Sequence, residues 1–228
     1  MPDAETVFRQ CTAGQPGRLK RIPDGEPGFR NLFTTFQSLL FQASPGLCTK
    51  FVNNAPTASG EFTEQEVEEG IEKLMRSGPL ETTYDTVAID SYGSFKKLKD
   101  EGVISKQTRF QVTIPTTANV IAPFVQQPFL AKVEPIYEEA LFRALRNLQD
   151  NVPHDDLAIQ IDLAVDTMYY EGVMYKPWFG EGDLKKIREY IVDYIVRMIS
   201  QIDKDVDVGI HNCYGEPFSL VANPHISY

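Results

Sequence analysis

Apolar and polar residues alternate along several short runs of the chain, which is the pattern of half-buried β-strands. In the run 109–115, for example, Phe110, Val112 and Ile114 share one side, and polar Thr116 follows at the end. The runs of this kind cover residues 19–22, 49–52, 86–90, 109–115, 157–166 and 206–210. Because some of these runs are brief, the sequence predicts five or six strands.

Longer segments repeat apolar residues every three or four positions, which predicts amphipathic helices. Thr63 and Glu66 form a capping-box sequence at the start of an acidic helix, and Asp183 is placed to cap the longest helix. The predicted helices cover residues 29–41, 63–75, 134–148 and 183–202. Residues 1–17 contain few apolar anchors and are predicted to be a flexible lead-in.

The order of these elements predicts the architecture. From residue 86 onward, strands alternate with segments long enough for right-handed crossovers, so the sheet should be mainly parallel. No glycine-rich nucleotide-binding sequence follows any strand, which disfavours a dinucleotide or P-loop fold. The sequence therefore predicts an α/β protein with a (β/α)-barrel of the TIM type.

Polar residues follow the predicted strands, where a parallel α/β fold places its ligand site. The loop 23–28 adds two further carboxylates, although a solvated turn is the simpler interpretation of that loop alone. The candidate catalytic residues are His211, Asp162, Asp166 and Tyr92. The candidate substrate-binding residues are Asp24, Glu26, Gln111, Thr116 and Gln160.

His211 and Cys213 end the last predicted strand two residues apart, so their side chains leave the same side of an extended backbone. An imidazole and a thiolate in this arrangement can supply two ligands to zinc. Zinc is therefore a candidate cofactor. The alternative is that both are core residues at a strand end.

Three segments together resemble the superfamily that unites uroporphyrinogen decarboxylase with cobalamin-independent methionine synthase. They are Arg-Phe-Gln-Val-Thr-Ile-Pro-Thr (109–116), Pro-His-Asp-Asp-Leu-Ala-Ile-Gln-Ile-Asp (153–162) and His-Asn-Cys-Tyr-Gly (211–215), and the loop 21–26 resembles that of small stand-alone members. The resemblance implies an eight-stranded barrel. It also implies that His211 and Cys213 occupy two zinc-ligand positions of the methionine synthases, whereas the decarboxylases work without a metal.

The chain departs from this pattern after Cys213, where no further cysteine follows. Since five or six strands are predicted up to Ile210, we expect the last two β/α units of a barrel to be missing. We therefore expect an incomplete barrel over 18–216 and a C-terminal tail over 217–228. An incomplete barrel leaves unpaired strand edges, which invite pairing with another chain. A homodimer in which two chains close each other is the predicted assembly.

Charge and composition narrow the partners and the compartment. The chain has 22 Lys and Arg against 32 Asp and Glu, a net charge of −10, which would repel nucleic acid and anionic membrane surfaces. No apolar run approaches the ~20 residues that span a bilayer, and the N-terminus lacks the pattern of a signal peptide. Three widely spaced cysteines predict no disulfide framework and favour the cytoplasm.

Two functions remain open from the sequence. The first is an enzyme for a small molecule in specialised metabolism, using either group transfer at a zinc-bound thiolate or metal-free acid–base chemistry of lyase or isomerase type. The alternative is a non-catalytic binding or accessory protein on a degenerate barrel. Ionisable groups at three separate strand ends favour the enzyme.

Overall fold

The computed structural model describes residues 3–31, 34–53, 55–173 and 176–213. The strands are β1 (Arg21–Pro23), β2 (Phe51–Val52), β3 (Ala55–Pro56), β4 (Arg109–Pro115), β5 (Leu157–Leu163) and β6 (Asp207–Asn212). The α-helices are α1 (Ala4–Gly14), α2 (Glu64–Met75), α3 (Tyr84–Asp100), α4 (Thr117–Phe124), α5 (Leu130–Asn151), α6 (Val165–Glu171) and α7 (Leu184–Ile199).

Four of the strands form one parallel sheet in the order β1-β4-β5-β6. The strands β2 and β3 pair with each other in a separate antiparallel ribbon. Within the described residues, the sheet is open and has four strands. The prediction of a TIM-type barrel with five or six of its eight strands is therefore wrong, although the α/β class and the parallel sheet are confirmed.

The barrel prediction overcounted because residues 86–90 belong to the helix α3. Their short alternation is part of a longer helical stripe, in which the buried positions include Tyr84, Ala88, Ser91, Phe95 and Leu98. Burial of this stripe against the rest of the core outweighs the local strand pattern, since helix stability in proteins comes mostly from packing of one face.

Two other predictions about the first part of the chain are corrected. Where residues 1–17 were predicted to be flexible, α1 is capped by Asp3, whose carboxylate accepts from the Thr6 backbone N–H at 2.7 Å. Phe8 is fully buried against the rings of Phe95 and Phe110 at 5.5 and 6.0 Å. In the predicted helix 29–41, the described residues form two 3₁₀ segments, Gly28–Arg30 and Thr35–Ala43. The division at residue 216 falls outside the described residues.

The sheet has two faces of different character. Alternate residues of β4 and β5, such as Phe110, Ile114 and Ile159, are buried in the main hydrophobic core with residues of α1, α3, α5 and α7. The opposite face is polar: Arg21 and Arg109 lie 3.4 and 3.3 Å from the Asp207 carboxylate, across the sheet. Most parallel sheets are covered on both faces, so a half-exposed polar face marks a surface available for function.

Candidate functional site

A cavity of about 300 Å³ opens where β1 ends and along the polar residues of β4 and β5. We call it the Asp24 cavity. Its lining includes Asp24, Glu26, Arg30, Tyr84, Gln111, Gln160 and Asp162. Five of the nine residues predicted for catalysis or substrate binding therefore share one cavity.

The loop after β1 delivers two carboxylates to this cavity. Asp24 accepts a hydrogen bond from the Glu26 backbone N–H at 2.9 Å, which closes a tight turn. Gly25 has φ 75°, and a Cβ there would lie 3.0 Å from the Val7 side chain, so both conformation and space require glycine. Glu26 has φ 48°, a left-handed conformation that is uncommon outside glycine and concentrates at functional sites.

Asp24 and Arg30 form a buried ion pair in the wall of the cavity. An Nη2 of Arg30 donates to Asp24 Oδ2 at 2.7 Å, and the Ser91 hydroxyl donates to the same oxygen at 2.8 Å. Asp24 and Arg30 are only 6% and 8% exposed. The pair is therefore fixed in position, because either charge alone would be unfavourable in this environment.

Glu26 has an unusual acidity. The pKa of Glu26 is raised to about 7. Partial burial is the largest cause, the negative charges of Asp24 and Asp162 add to it, and the positive charge of Arg30 opposes it. A carboxyl group with this pKa exchanges its proton near neutral pH, as a general acid or base requires. Perturbed carboxylates of this kind in a cleft are candidates for a functional site.

A chain of hydrogen bonds orders the β4 and β5 side of the cavity. Gln111 Nε2 donates to Gln160 Oε1 at 3.2 Å, and Gln160 Nε2 donates to Asp162 Oδ1 at 2.8 Å. Burial raises the pKa of Asp162 above its usual value, and this effect exceeds the opposing effects of the hydrogen bond from Gln160 and of the nearby His211. His211 is the register neighbour of Asp162 on β6 and lies exposed beside the cavity.

Tyr84 brings an unused hydrogen-bonding group to the cavity. Its side chain is 5% exposed, and its hydroxyl has no hydrogen-bond partner among the described residues. Burial and the charges of Glu26 and Asp162 hold the pKa of this hydroxyl well above its usual value, so it stays protonated. A buried hydroxyl without a partner is unfavourable, and a bound ligand could satisfy it.

Sequence reasoning missed Tyr84 and Arg30. Residues 86–90 were predicted to be a strand, which hid Tyr84 as the first residue of α3. Arg30 lies within the predicted helix 29–41, where it gave no distinct signal. The one signal in the sequence is that Arg30 follows Asp24 by only six residues, which is close enough for the two charges to pair.

Tyr92 lies at the other end of the sheet from the cavity. Its hydroxyl donates to Asp156 at 2.7 Å, and Lys99 donates to the same carboxylate at 2.5 Å. Asp156 immediately precedes β5, so this group sits at the amino ends of the strands. The structure does not bring Tyr92 to the predicted site, because a helical residue one step from Ser91 points about 100° away around the helix axis.

Thr116 and Asp166 satisfy each other behind the strand ends. The Thr116 hydroxyl donates to Asp166 at 2.5 Å, and both side chains are buried. Burial raises the pKa of Asp166 to about 6 against its hydrogen bonds from Thr116 and the backbone. Thr116 also caps α4 by accepting from the Asn119 N–H. Neither residue lines the Asp24 cavity, so the described contacts give both a part in holding the turns after β4 and β5.

The described residues do not complete a zinc site around His211 and Cys213. A zinc site needs three or four protein ligands. The three potential ligand residues that do lie within 4.8 Å of one another are His154, Asp203 and Asp205, near the amino end of β6. That group, whose two carboxylates are exposed, includes neither His211 nor Cys213. The zinc site stays a prediction.

Replacing Glu26 by glutamine is expected to change the pH dependence of stability. Because the pKa of Glu26 is raised from 4.5 to about 7, its favourable contribution is complete below pH 4.5 and is lost as pH rises through 7. Between pH 5 and pH 8, the free energy of unfolding of wild type should therefore fall by about 1–3 kcal/mol relative to that of Glu26→Gln, allowing for solvent screening. Urea unfolding at both pH values measures this. The exposed Glu72→Gln is the control, and the same pH trend in both variants would contradict the assignment.

None of the helices in the described part of the chain combines the length and the apolar composition needed to cross a membrane. The resemblance to the uroporphyrinogen decarboxylase and methionine synthase superfamily stays a prediction that rests on sequence segments alone. No protein-family model, curated protein or solved structure matches this chain.

Proposed function

We propose that the protein is a small-molecule enzyme that performs metal-free acid–base chemistry, of lyase or isomerase type, in the Asp24 cavity. The observation that carries the proposal is the convergence of Glu26, Asp162, the Asp24–Arg30 pair and the unpartnered Tyr84 hydroxyl on one cavity. A binding module needs complementary groups, but it does not need a carboxyl group whose pKa lies near 7.

Glu26 is the group that transfers the proton. As a carboxylate it removes a proton from the substrate, and as a carboxylic acid it returns the proton to another atom of the substrate or to a leaving group. The pKa of about 7 makes both forms available at neutral pH. The left-handed backbone at Glu26 and its turn with Asp24 fix the direction of approach.

The other cavity residues bind and orient the substrate. The Tyr84 hydroxyl donates a hydrogen bond to a substrate oxygen, because its raised pKa keeps it protonated. Gln111 and Gln160 offer amide groups from two neighbouring strands. Asp162 faces substrate groups that carry hydrogen-bond donors. These side chains are held in place before the substrate binds, which is the preorganisation that catalysis requires.

The test is to incubate the protein with a metabolite extract and follow consumption of compounds by untargeted mass spectrometry. Wild type should consume at least one compound, and Glu26→Gln should consume it about 10²–10⁴-fold more slowly, the usual contribution of a general acid–base group. Glu72→Gln should match wild type. A compound that stays bound to wild type through gel filtration without being converted would favour the binding-protein alternative. Equal consumption by wild type and Glu26→Gln would remove Glu26 from the reaction.

A further inference from the structure

The strand β6 forms an edge of the parallel sheet. It pairs with β5 over the register from Ala158↔Asp207 to Leu163↔Asn212. On its other side, no strand from the described residues covers it. An edge strand of six residues presents a row of free backbone donors and acceptors, which proteins usually cover or pair with another chain.

The sequence of β6 is complementary to itself when it runs antiparallel. If two copies pair about a two-fold axis through Gly209, Asp207 lies opposite His211 of the partner subunit on the polar face. Val208 then lies opposite Ile210 of the partner subunit on the other face. The first pair joins a carboxylate to an imidazole that can donate a hydrogen bond, and the second joins two β-branched apolar residues, both favourable cross-strand pairs.

Exposed apolar residues accompany this edge. Ile210 is 53% exposed, and Val192 and Val196 on α7 are 51% and 58% exposed. Val192 and Asn212 line the same groove of about 270 Å³ between α7 and the end of β6. Ile210 and Asn212 share a face of β6 by alternation. The exposed Ile210 of the strand and the exposed valines of α7 therefore lie on the same side of the sheet. A two-fold axis through Gly209 would bring α7 and its copy together on that side.

The polar side of β6 is held in place for pairing. Asp207 is fixed within the chain by Arg21 at 3.4 Å and Arg109 at 3.3 Å. Both cations contact the same carboxylate oxygen, Oδ2, and the Asp207 side chain is 46% exposed, so a donor from outside the chain can reach the carboxylate. His211 is exposed and lies on the same face of β6 as Asp207 by alternation, so its ring stands on the face where Asp207 of the partner subunit would lie.

We propose that β6 pairs with β6 of a second copy, antiparallel and centred on Gly209, to form a symmetric dimer with a continuous eight-stranded sheet. The self-complementary register commits this edge to a second copy of the chain, since each polar and apolar residue from 207 to 211 meets a matching one. The two Asp24 cavities lie on the same face of that sheet, because a two-fold axis perpendicular to a sheet preserves its faces.

Sedimentation of the full chain over a concentration series tests this assembly. Wild type should form a dimer. Ile210→Lys should weaken it at least tenfold by placing a charge against Val208 of the partner subunit, and His211→Asp should do the same by setting two carboxylates opposite each other. Leu39→Lys, which changes a residue that is 59% exposed elsewhere, should leave the dimer unchanged. Circular dichroism checks that all variants fold.

A cysteine at the centre tests the register. In Gly209→Cys, the two introduced thiols face each other across the axis within disulfide distance. Oxidation should give a peptide linking residue 209 to residue 209, and Ile210→Cys should not link to itself, because residue 210 lies opposite residue 208. The new Cβ would lie 2.8 Å from the end of the flexible Arg21 side chain, which can move aside.

Three outcomes would overturn the proposal. One is a monomer at every concentration. The second is a dimer that resists both Ile210→Lys and His211→Asp and gives no link between the 209 positions, which would place the interface elsewhere. The third is a monomeric full chain that dimerises only after truncation at Cys213, which would assign the edge to residues 214–228 of the same chain.

Discussion

Replacing Arg30 by methionine should lower the free energy of unfolding by about 3–5 kcal/mol. The change removes the buried cation that donates to Asp24 at 2.7 Å and leaves that carboxylate with Ser91 and the Glu26 backbone N–H as its partners. An uncompensated buried charge is more costly than the loss of the pair as a whole. Urea unfolding at pH 7 measures the loss.

Two further variants separate charge from packing at this position. Arg146→Met removes an exposed ion pair with Glu139 and should change stability only slightly. The double variant Asp24→Asn, Arg30→Met should regain part of the stability lost in Arg30→Met, since it removes the isolated charge. If Arg30→Met and Arg146→Met have equal effects, or the double variant is the least stable of all, the buried pair does not have the role assigned to it.

Replacing Asn119 by alanine should cost about 2–4 kcal/mol, because it leaves buried backbone groups without partners. The Asn119 carboxamide oxygen accepts from the N–H groups of Ala164 and Val165 at 3.2 and 2.7 Å. Its amide nitrogen donates to the Asp162 carbonyl at 2.7 Å. One side chain on α4 therefore fixes the turn that carries the chain from β5 into α6.

Hydrogen exchange gives this prediction a local readout. The amides of Ala164 and Val165 should exchange faster in Asn119→Ala than in wild type, by more than the change in global stability explains. Asn151→Ala, at an exposed position whose hydrogen bonds go to Asn147, is the matched control. Unchanged exchange at Ala164 and Val165 would show that another contact holds the turn.

Local patterns predicted those elements whose stability depends on local chemistry. The capping box of Thr63 and Glu66 is present, and Asp183 caps α7 through the N–H groups of Lys185 and Lys186. The strand 109–115 agrees with β4 residue for residue. In each case the signal lies within a few residues of chain, so no distant contact had to be known.

The number of strands could not be predicted in the same way. Residues 86–90 alternate well enough to be a strand, and only the packing of Phe95 and Leu98 further along shows that the segment is a helix. Residues 1–17 contain few large apolar side chains, which predicts a flexible segment. Two of those side chains, Val7 and Phe8, are nevertheless buried and hold α1 in place. Tertiary burial decides such segments, and a short window of sequence does not contain it.

The candidate site was predicted in part for a physical reason. Gln111, Gln160 and Asp162 converge because the polar positions of neighbouring parallel strands lie side by side on one face of the sheet. Asp24 and Glu26 join them because β1 pairs with β4. The position of Tyr84, however, depends on how α3 packs across the sheet, and no spacing in the sequence encodes that contact.

The salt bridges of Asp207 have a consequence for how the protein folds during synthesis. The strands join the sheet in chain order, so it can grow by one strand at a time as the chain leaves the ribosome. The carboxylate that Arg21 and Arg109 contact, however, belongs to Asp207 on β6, which is synthesised after β5. Until β6 arrives, Arg21 and Arg109 lack the carboxylate that they contact in the finished sheet, although Arg109 can already donate to the His154 and Leu157 carbonyls. A nascent chain stalled before residue 207 should therefore bind polyanions more tightly than the finished protein does.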